Sequence, residues 1–254
     1  MLLTIDIGNT NITLGVFDKD NLIQSWRLST DITRTEDEYG IFIKNLISHT
    51  EYAQMIQNAV IASVVVQLTE KIEKALIKYL NIHPFIVTHK IKTNFSIKTD
   101  IPSQVGADRL ANAAAVKELY KLPAIVVDFG TATSFDVVNG KSEFIGGIIA
   151  AGMKIQAEAL SLKTSKLPKL NIEASKNAIG KNTIDAMLSG IVRGHASMID
   201  GLISECEKEL GEKATIIATG GYSSVISNYL NRKFDYINPD LTLIGAKTLF
   251  TLNR

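Results

Sequence analysis

An aspartate that closes an apolar run, and is followed by glycine and small polar residues, is a place to hold a cation and phosphate oxygens. This chain has two. The first is Asp6, which ends the run 2–6 and continues as Ile7-Gly8-Asn9-Thr10-Asn11 into a second apolar run to residue 17. The second is Asp128, which ends the run 124–128 and continues as Phe129-Gly130-Thr131-Ala132-Thr133 into a run to residue 138. An aspartate at a strand end can also merely cap a turn. The recurrence of the whole arrangement favours binding, and implies two similar half-domains. Neither copy is a Walker A loop, because no Gly-Lys-Ser/Thr follows. GxGxxG is also absent at the first turn.

Between the two copies lies Gly106-Ala107-Asp108-Arg109, at the start of an alanine-rich helical stretch. An acid in a first helical turn is favourable in its own right. The same residues could also do chemistry. Asp108 would accept a proton from a substrate hydroxyl, and Arg109 would grip a carboxylate or phosphate. The N–H groups of Gly106 and Ala107 would add an anion site. Thr219-Gly220-Gly221 and Gly146-Gly147 admit two readings each: an ordinary turn, or a backbone left bare for close approach of a nucleotide.

These residues must be carried by alternating strands and helices. Residues 2–6 and 11–17 flank a Gly8-Asn9 turn, and 22–28 continues the sheet. Thr35-Glu36-Asp37-Glu38 resembles a capping box opening a helix to about residue 47. A strand is expected at 58–66, a helix at 68–80, a short strand at 84–88, a loop at 90–102 and a helix at 106–120. The second half restarts with the repeated strands, then a third at 144–150 and a helix at 153–162. An ordered loop follows at 163–177. A long helix at 182–210 is interrupted at Gly190, Gly194 and Gly201. A strand at 214–218 and helices at 223–230 and 241–252 complete the chain. Three strands opening each half predict α/β halves with mixed sheets. The expected division is 1–117 and 118–254.

Composition narrows the function. With 27 basic and 26 acidic residues the net charge is +1, which offers no footprint for nucleic acid or an anionic membrane. The single cysteine, Cys206, excludes an internal disulfide and fits a reducing compartment. Asp6 breaks the first apolar run, so the N-terminus does not read as a signal peptide. No apolar stretch approaches the roughly 20 residues of a spanning helix, so a cytoplasmic location is expected. His49, His83, His89 and His195 lack metal-site spacing. Of these, only His195, near Arg193, invites inspection.

Taken in order, these blocks resemble the actin, sugar-kinase and heat-shock ATPase superfamily. More closely, they resemble the type III pantothenate kinase family. To the blocks above the resemblance adds Thr35-Glu36-Asp37-Glu38-Tyr39, Gly180-Lys181-Asn182-Thr183 and Asp240-Leu241-Thr242-Leu243. It implies two ribonuclease H-like halves with a nucleotide cleft between them. It also implies ATP-dependent phosphorylation of pantothenate, the first step of coenzyme A synthesis. By position, Asp6, Ile7, Gly8, Asn9, Thr10, Asn11, Ile12, Thr13 and Thr131 would bind ATP. Gly106, Ala107, Asp108, Arg109 and Thr183 would hold pantothenate, with Asp108 as proton acceptor. Asp6 would approach Mg2+ through ATP, and Asp128 would bind K+ or NH4+. A homodimer with the substrate pocket at its interface is implied too. Two positions depart from the family pattern: Thr99 stands where an aromatic residue is common, and Ala151-Gly152 replaces Pro-Gly. The alternatives are another small-molecule kinase of the superfamily, such as a sugar kinase, and a non-catalytic relative acting as a transcription accessory factor. Intact Asp6, Asp108, Arg109 and Asp128 weigh against the latter.

Overall fold

Both aspartate-ending runs become strands buried along almost their whole length. The computed structural model describes residues 1–254. In chain order the first elements are β1 (Leu2–Ile7), β2 (Asn11–Asp18), β3 (Asn21–Ser29), α1 (Glu36–Ser48), β4 (Asn58–Ser63), α2 (Val66–Leu80), β5 (Phe85–Ile86), β6 (Ser96–Ile97) and α3 (Ala107–Leu119). They are followed by β7 (Ala124–Phe129), β8 (Ala132–Val138), β9 (Glu143–Ala151), α4 (Met153–Lys163), α5 (Thr183–Leu188), α6 (Gly194–Leu210), β10 (Thr215–Gly220), α7 (Ser223–Ile226), β11 (Tyr236–Ile237) and α8 (Leu241–Leu252). Two units result: Met1–Leu119 together with Asp240–Arg254, and Tyr120–Pro239.

In the first unit the sheet order is β3-β2-β1-β4-β5. β1 is antiparallel to β2 and parallel to β4. Strand alternation sends Leu3, Ile5 and Ile7 to one face. There they meet Tyr39 and Ile43 of α1 and Leu68, Ile72 and Leu76 of α2 in one core cluster. Leu2, Thr4 and Asp6 therefore point to the opposite face, which α3 and α8 cover. The α1 capping box forms as read: the Thr35 N–H donates to Glu38 Oε2 at 2.8 Å and the Glu38 N–H to Thr35 Oγ1 at 3.3 Å.

The C-terminus corrects the expected division at 117/118. Helix α8 belongs with the first unit, because its backbone lies directly on α3. A Cβ at Gly245 would overlap the backbone of Ala111, and Thr242 Oγ1 donates to Asn112 Oδ1 at 2.9 Å. That contact depends on glycine and is not visible as a pattern in either helix alone.

The second unit repeats the design, with sheet order running β11-β10-β7-β8-β9. β7 is antiparallel to β8 and parallel to β10. Ile125, Val127, Phe129 and Phe135 pack against Met153 and Ala157 of α4 and Ile199 and Ile203 of α6. The long helix expected at 182–210 forms without a gap from Thr183 to Leu210, as α5, a π-helical turn at Ser189–Arg193, and α6. Ser189 Oγ leaves the helix to donate to the Ala178 carbonyl at 2.6 Å. Gly201 interrupts nothing. The helix expected at 223–230 stops at Ile226, and Tyr229 instead turns its hydroxyl to the Ser175 carbonyl at 3.0 Å. Gly146, at φ +125°, sits beside the register shift between β8 and β9. That local demand accounts for a glycine there.

An ion cluster around buried Glu207 pins the end of α6. Glu207, 7% exposed, pairs with Arg232 and with Lys213 Nζ at 2.7 Å, and accepts the Ala214 N–H at 3.0 Å. Burial raises its pKa, but the bonds from Arg232, Lys213 and Ala214 outweigh burial and bring it down to about 2. Cys206 is half-buried, and burial together with three neighbouring glutamates raises its pKa, so it stays a thiol.

Two stability predictions follow from these contacts. Gly245→Ala forces α8 off α3 and should cost about 1–3 kcal/mol or more in denaturant unfolding. An unchanged midpoint would contradict the close approach. The stabilisation from Glu207 is fully present above its ordinary pKa of 4.5 and is lost as pH falls towards 2. After allowance for screening at exposed Lys213 it amounts to roughly 2 kcal/mol. Glu207→Gln should therefore unfold more easily at pH 7 and show a flatter loss of stability between about pH 4.5 and 2.

Candidate active site

In the first unit the expected residues gather at the carboxyl ends of β1 and β4. Asp6 faces the α3 side and is registered opposite Thr13 of β2 and beside Ala62 of β4. The turn after it is closed by the Gly8 N–H on the Asn11 carbonyl at 3.0 Å. Thr30 braces this turn: its Oγ1 donates to the Gly8 carbonyl at 2.6 Å and its N–H to the Thr10 carbonyl at 2.9 Å. Ile7 and Ile12 bury their side chains in the core, so only their backbone can serve a ligand. Asn9 and Asn11 are exposed, while Gly8, Thr10 and Thr13 are half-buried. Sequence reasoning did not assign Thr30 this role, because only the pairing of β3 with β2 brings it there.

Helix α3 begins at the same end of that sheet. Val64, just past β4, donates its N–H to the Ile7 carbonyl at 3.1 Å. Its Cγ1 would stand 3.3 Å from a Cβ on Gly106. Asp108 curls back over the helix start, where its Oδ1 accepts the Arg109 N–H at 2.7 Å. A Cβ on Gly106 would overlap that carboxylate, so glycine is what lets Asp108 occupy the position. Burial raises the Asp108 pKa, opposed by the Arg109 N–H and the Arg109 charge. A carboxylate of raised pKa, half-buried at a helix start, is a better proton acceptor than a free one.

The second unit presents the other copy. Asp128 is registered beside Thr219 of β10 and opposite Ser134 of β8. Gly220, at φ +85°, lies over it: a Cβ there would be 2.6 Å from the Phe129 carbonyl oxygen and 2.7 Å from Asp128 Oδ1. Thr131 is half-buried in the turn. Thr133, just beyond it, is buried in the core. It is 1% exposed on the α6 side of the sheet, with Oγ1 2.9 Å from His195 Nε2, and so presents nothing to a ligand. Thr183 is exposed at the start of α5, where Asn182 Oδ1 caps the Asp185 N–H at 2.9 Å. At Thr99 the hydroxyl oxygen is buried without a hydrogen-bond partner.

The donor chemistry fits hard cations. No group of three or more His, Cys, Asp or Glu side chains could cage a metal ion. Mg2+ commonly binds one or two carboxylates together with substrate phosphates, and Asp6 suits that arrangement. At Asp128 the bare Gly220 leaves a carboxylate and the Phe129 carbonyl bordering one cradle that a Cβ would fill. Oxygen donors of this kind suit an alkali cation. No helix is long and apolar enough to cross a membrane.

Comparison with known proteins follows the same line. The family model described as type III pantothenate kinase matches residues 2–205. The chain is 42% identical over 255 residues to the type III pantothenate kinase of Exiguobacterium sibiricum, covering all of both chains. It is 42% identical over 254 residues to that of Halalkalibacterium halodurans, again over all of both. Among solved structures, the ROK hexokinase of Thermus thermophilus superposes with a TM-score of 0.55 at 11% identity, over 98% of this chain and 97% of that one. That likeness bears on the fold: two units, each a mixed sheet flanked by helices. With identity sustained from end to end and the family model laid over residues 2–205, the chain belongs to the type III pantothenate kinase family.

Proposed function

We propose that this chain transfers the γ-phosphoryl group of ATP to the primary hydroxyl of pantothenate, the first step of coenzyme A biosynthesis. Family membership supports the reaction. The observation that carries the residue roles is Asp108, a carboxylate of raised pKa held at the start of α3.

Phosphoryl transfer is chiefly a matter of position and charge neutralisation. The turn after Asp6 would take the terminal phosphate oxygens on its backbone N–H groups and on Asn9, Thr10 and Asn11. Thr131 would contact the nucleotide from the second unit. Asp108 would accept the proton of the pantothenate hydroxyl and align its oxygen for attack. Gly106, Ala107 and Arg109 would hold pantothenate, Arg109 through its carboxylate, with Thr183 as a further contact. Asp6 would hold Mg2+ through ATP, and Asp128 would hold K+ or NH4+. Bound there, these cations would supply positive charge to offset that of the phosphates. A homodimer with the pantothenate pocket at its interface completes the reading. Large apolar side chains exposed in the second unit, Ile149 on β9, Leu162 on α4 and Ile179 before α5, support an interface there.

Turnover of ATP with pantothenate, in K+ and in Na+, tests the function. No pantothenate-dependent turnover in any cation would overturn it. Asp108→Asn should lower kcat by about 10²–10⁴-fold. Its thermal midpoint should stay near that of the parent, since the amide oxygen can still accept the Arg109 N–H. Near-normal kinetics would remove Asp108 from its role. Asp128→Asn should lower turnover about tenfold or more and abolish the difference between K+ and Na+. Retained K+ dependence would place the cation elsewhere.

A further inference from the structure

The turn between β7 and β8 is supported from behind by a neutral histidine that has no part in the residue roles proposed above. His195 is 2% exposed and follows the π-helical turn at Ser189–Arg193. Such turns recur at functional positions. Its Nε2 lies 2.9 Å from Thr133 Oγ1, and its Nδ1 lies 2.9 Å from Gln156 Nε2. Gln156 Nε2 also donates to the Ala151 carbonyl at 2.9 Å. That carbonyl can only accept, which fixes the orientation of the Gln156 amide. The amide therefore presents N–H to His195 Nδ1, and Nδ1 must accept. The ring proton is left on Nε2, which donates to Thr133 Oγ1. Hydrogen bonding thus runs in one direction from Gln156 of α4 through His195 of α6 to β8.

The same turn is gripped at two other places. A Cβ on Gly152, at the start of α4, would overlap the Thr131 carbonyl, and a Cβ on Gly220 would crowd the Phe129 backbone. Phe129 also stacks edge-on with the His195 ring, centroids 6.3 Å apart. Burial lowers the His195 pKa from 6.5 to about 4. An imidazolium would set two N–H groups face to face at Gln156, so the neutral ring is the form this geometry accommodates.

We infer that His195 is a positioning residue for nucleotide binding, which orients Thr133 through Nε2–H and thereby fixes the Asp128–Thr131 turn from the side of the sheet away from the ligand. This inference rests on the reading that the turn contacts ATP. A purely structural role would lower stability and leave ligand affinities untouched.

The test is the dissociation constant for ATP by calorimetry, with KM for ATP and for pantothenate alongside. His195→Phe keeps an aromatic ring, slightly larger than imidazole, and removes both polar contacts. It should weaken ATP binding by about tenfold, the equivalent of one lost hydrogen bond at about 1.4 kcal/mol, and change the pantothenate KM by less than about twofold. His195→Gln, which retains an N–H donor near the Nε2 position, should recover most of the loss. Thr133→Val should reproduce it. The double variant His195→Phe with Thr133→Val should be no worse than the worse single, because both act through one bond. ATP affinity equal to the parent's in His195→Phe, or additive losses in the double variant, would overturn the inference. If His195→Phe does not fold, Thr133→Val with and without Gln156→Leu decides by the same additivity criterion. A parent protein that binds ATP but does not phosphorylate pantothenate would overturn the proposed reaction alone, and the ATP dissociation constants would still decide the role of His195.

Discussion

In each unit an aspartate-bearing strand runs parallel to a neighbour that leaves the sheet at the same level: β1 beside β4, and β7 beside β10. Parallel pairing puts both carboxyl ends on one edge of the sheet, and the chain must turn away from each. That edge therefore carries backbone N–H groups and strand-end carboxylates close together. Asp6 and the Gly8–Asn11 turn occupy it in the first unit. Asp128 and Gly220 occupy it in the second. In the first unit α1 and α2 pack on one face and α3 and α8 on the other; in the second, α4 and α6 pack on one face.

Rigidity comes from backbone contacts that exclude side chains. Gly106 yields its space to the Asp108 carboxylate, Gly220 to Asp128 and Phe129, and Gly152 to Thr131. At Gly152 and Gly220 the close neighbour is a peptide of the turn, which cannot rotate away. Polar braces supplement these contacts: Thr30 on the first turn, and His195 through Thr133 on the second. The two copies thus share a topology but are stiffened by unrelated residues. Their chemistry has diverged with their support: one turn is rich in asparagine and threonine, and the other leans on a buried imidazole.

Much of this was legible in the residues themselves. Capping at Thr35, the strand pairs around Gly8 and Gly130, and the two mixed sheets depend on neighbours in the chain or on alternation along a strand. Other features were not legible. The π-helical turn at Ser189–Arg193 coincides with Ser189 reaching Ala178, and the end of α7 with Tyr229 reaching Ser175. That α8 joins the first unit is decided by Gly245 and Thr242 meeting Ala111 and Asn112 of α3.

The order and spacing of chemically capable residues were set by the sequence alone: two aspartate turns, an Asp-Arg pair between them, and a glycine turn after them. Such local patterns carry their own physical meaning, since a strand end, a helix start or a bare backbone acts over a few residues. What only the tertiary structure decided is the face each of these residues presents and what stands behind it. Asp6 faces α3 because Leu3, Ile5 and Ile7 claim the other side of β1. Thr133 shares the face of Phe135 and Val137, where it meets His195, a residue 62 positions further along the chain. Long-range packing makes those choices, because burial and hydrogen-bond satisfaction are properties of the assembled core rather than of any segment.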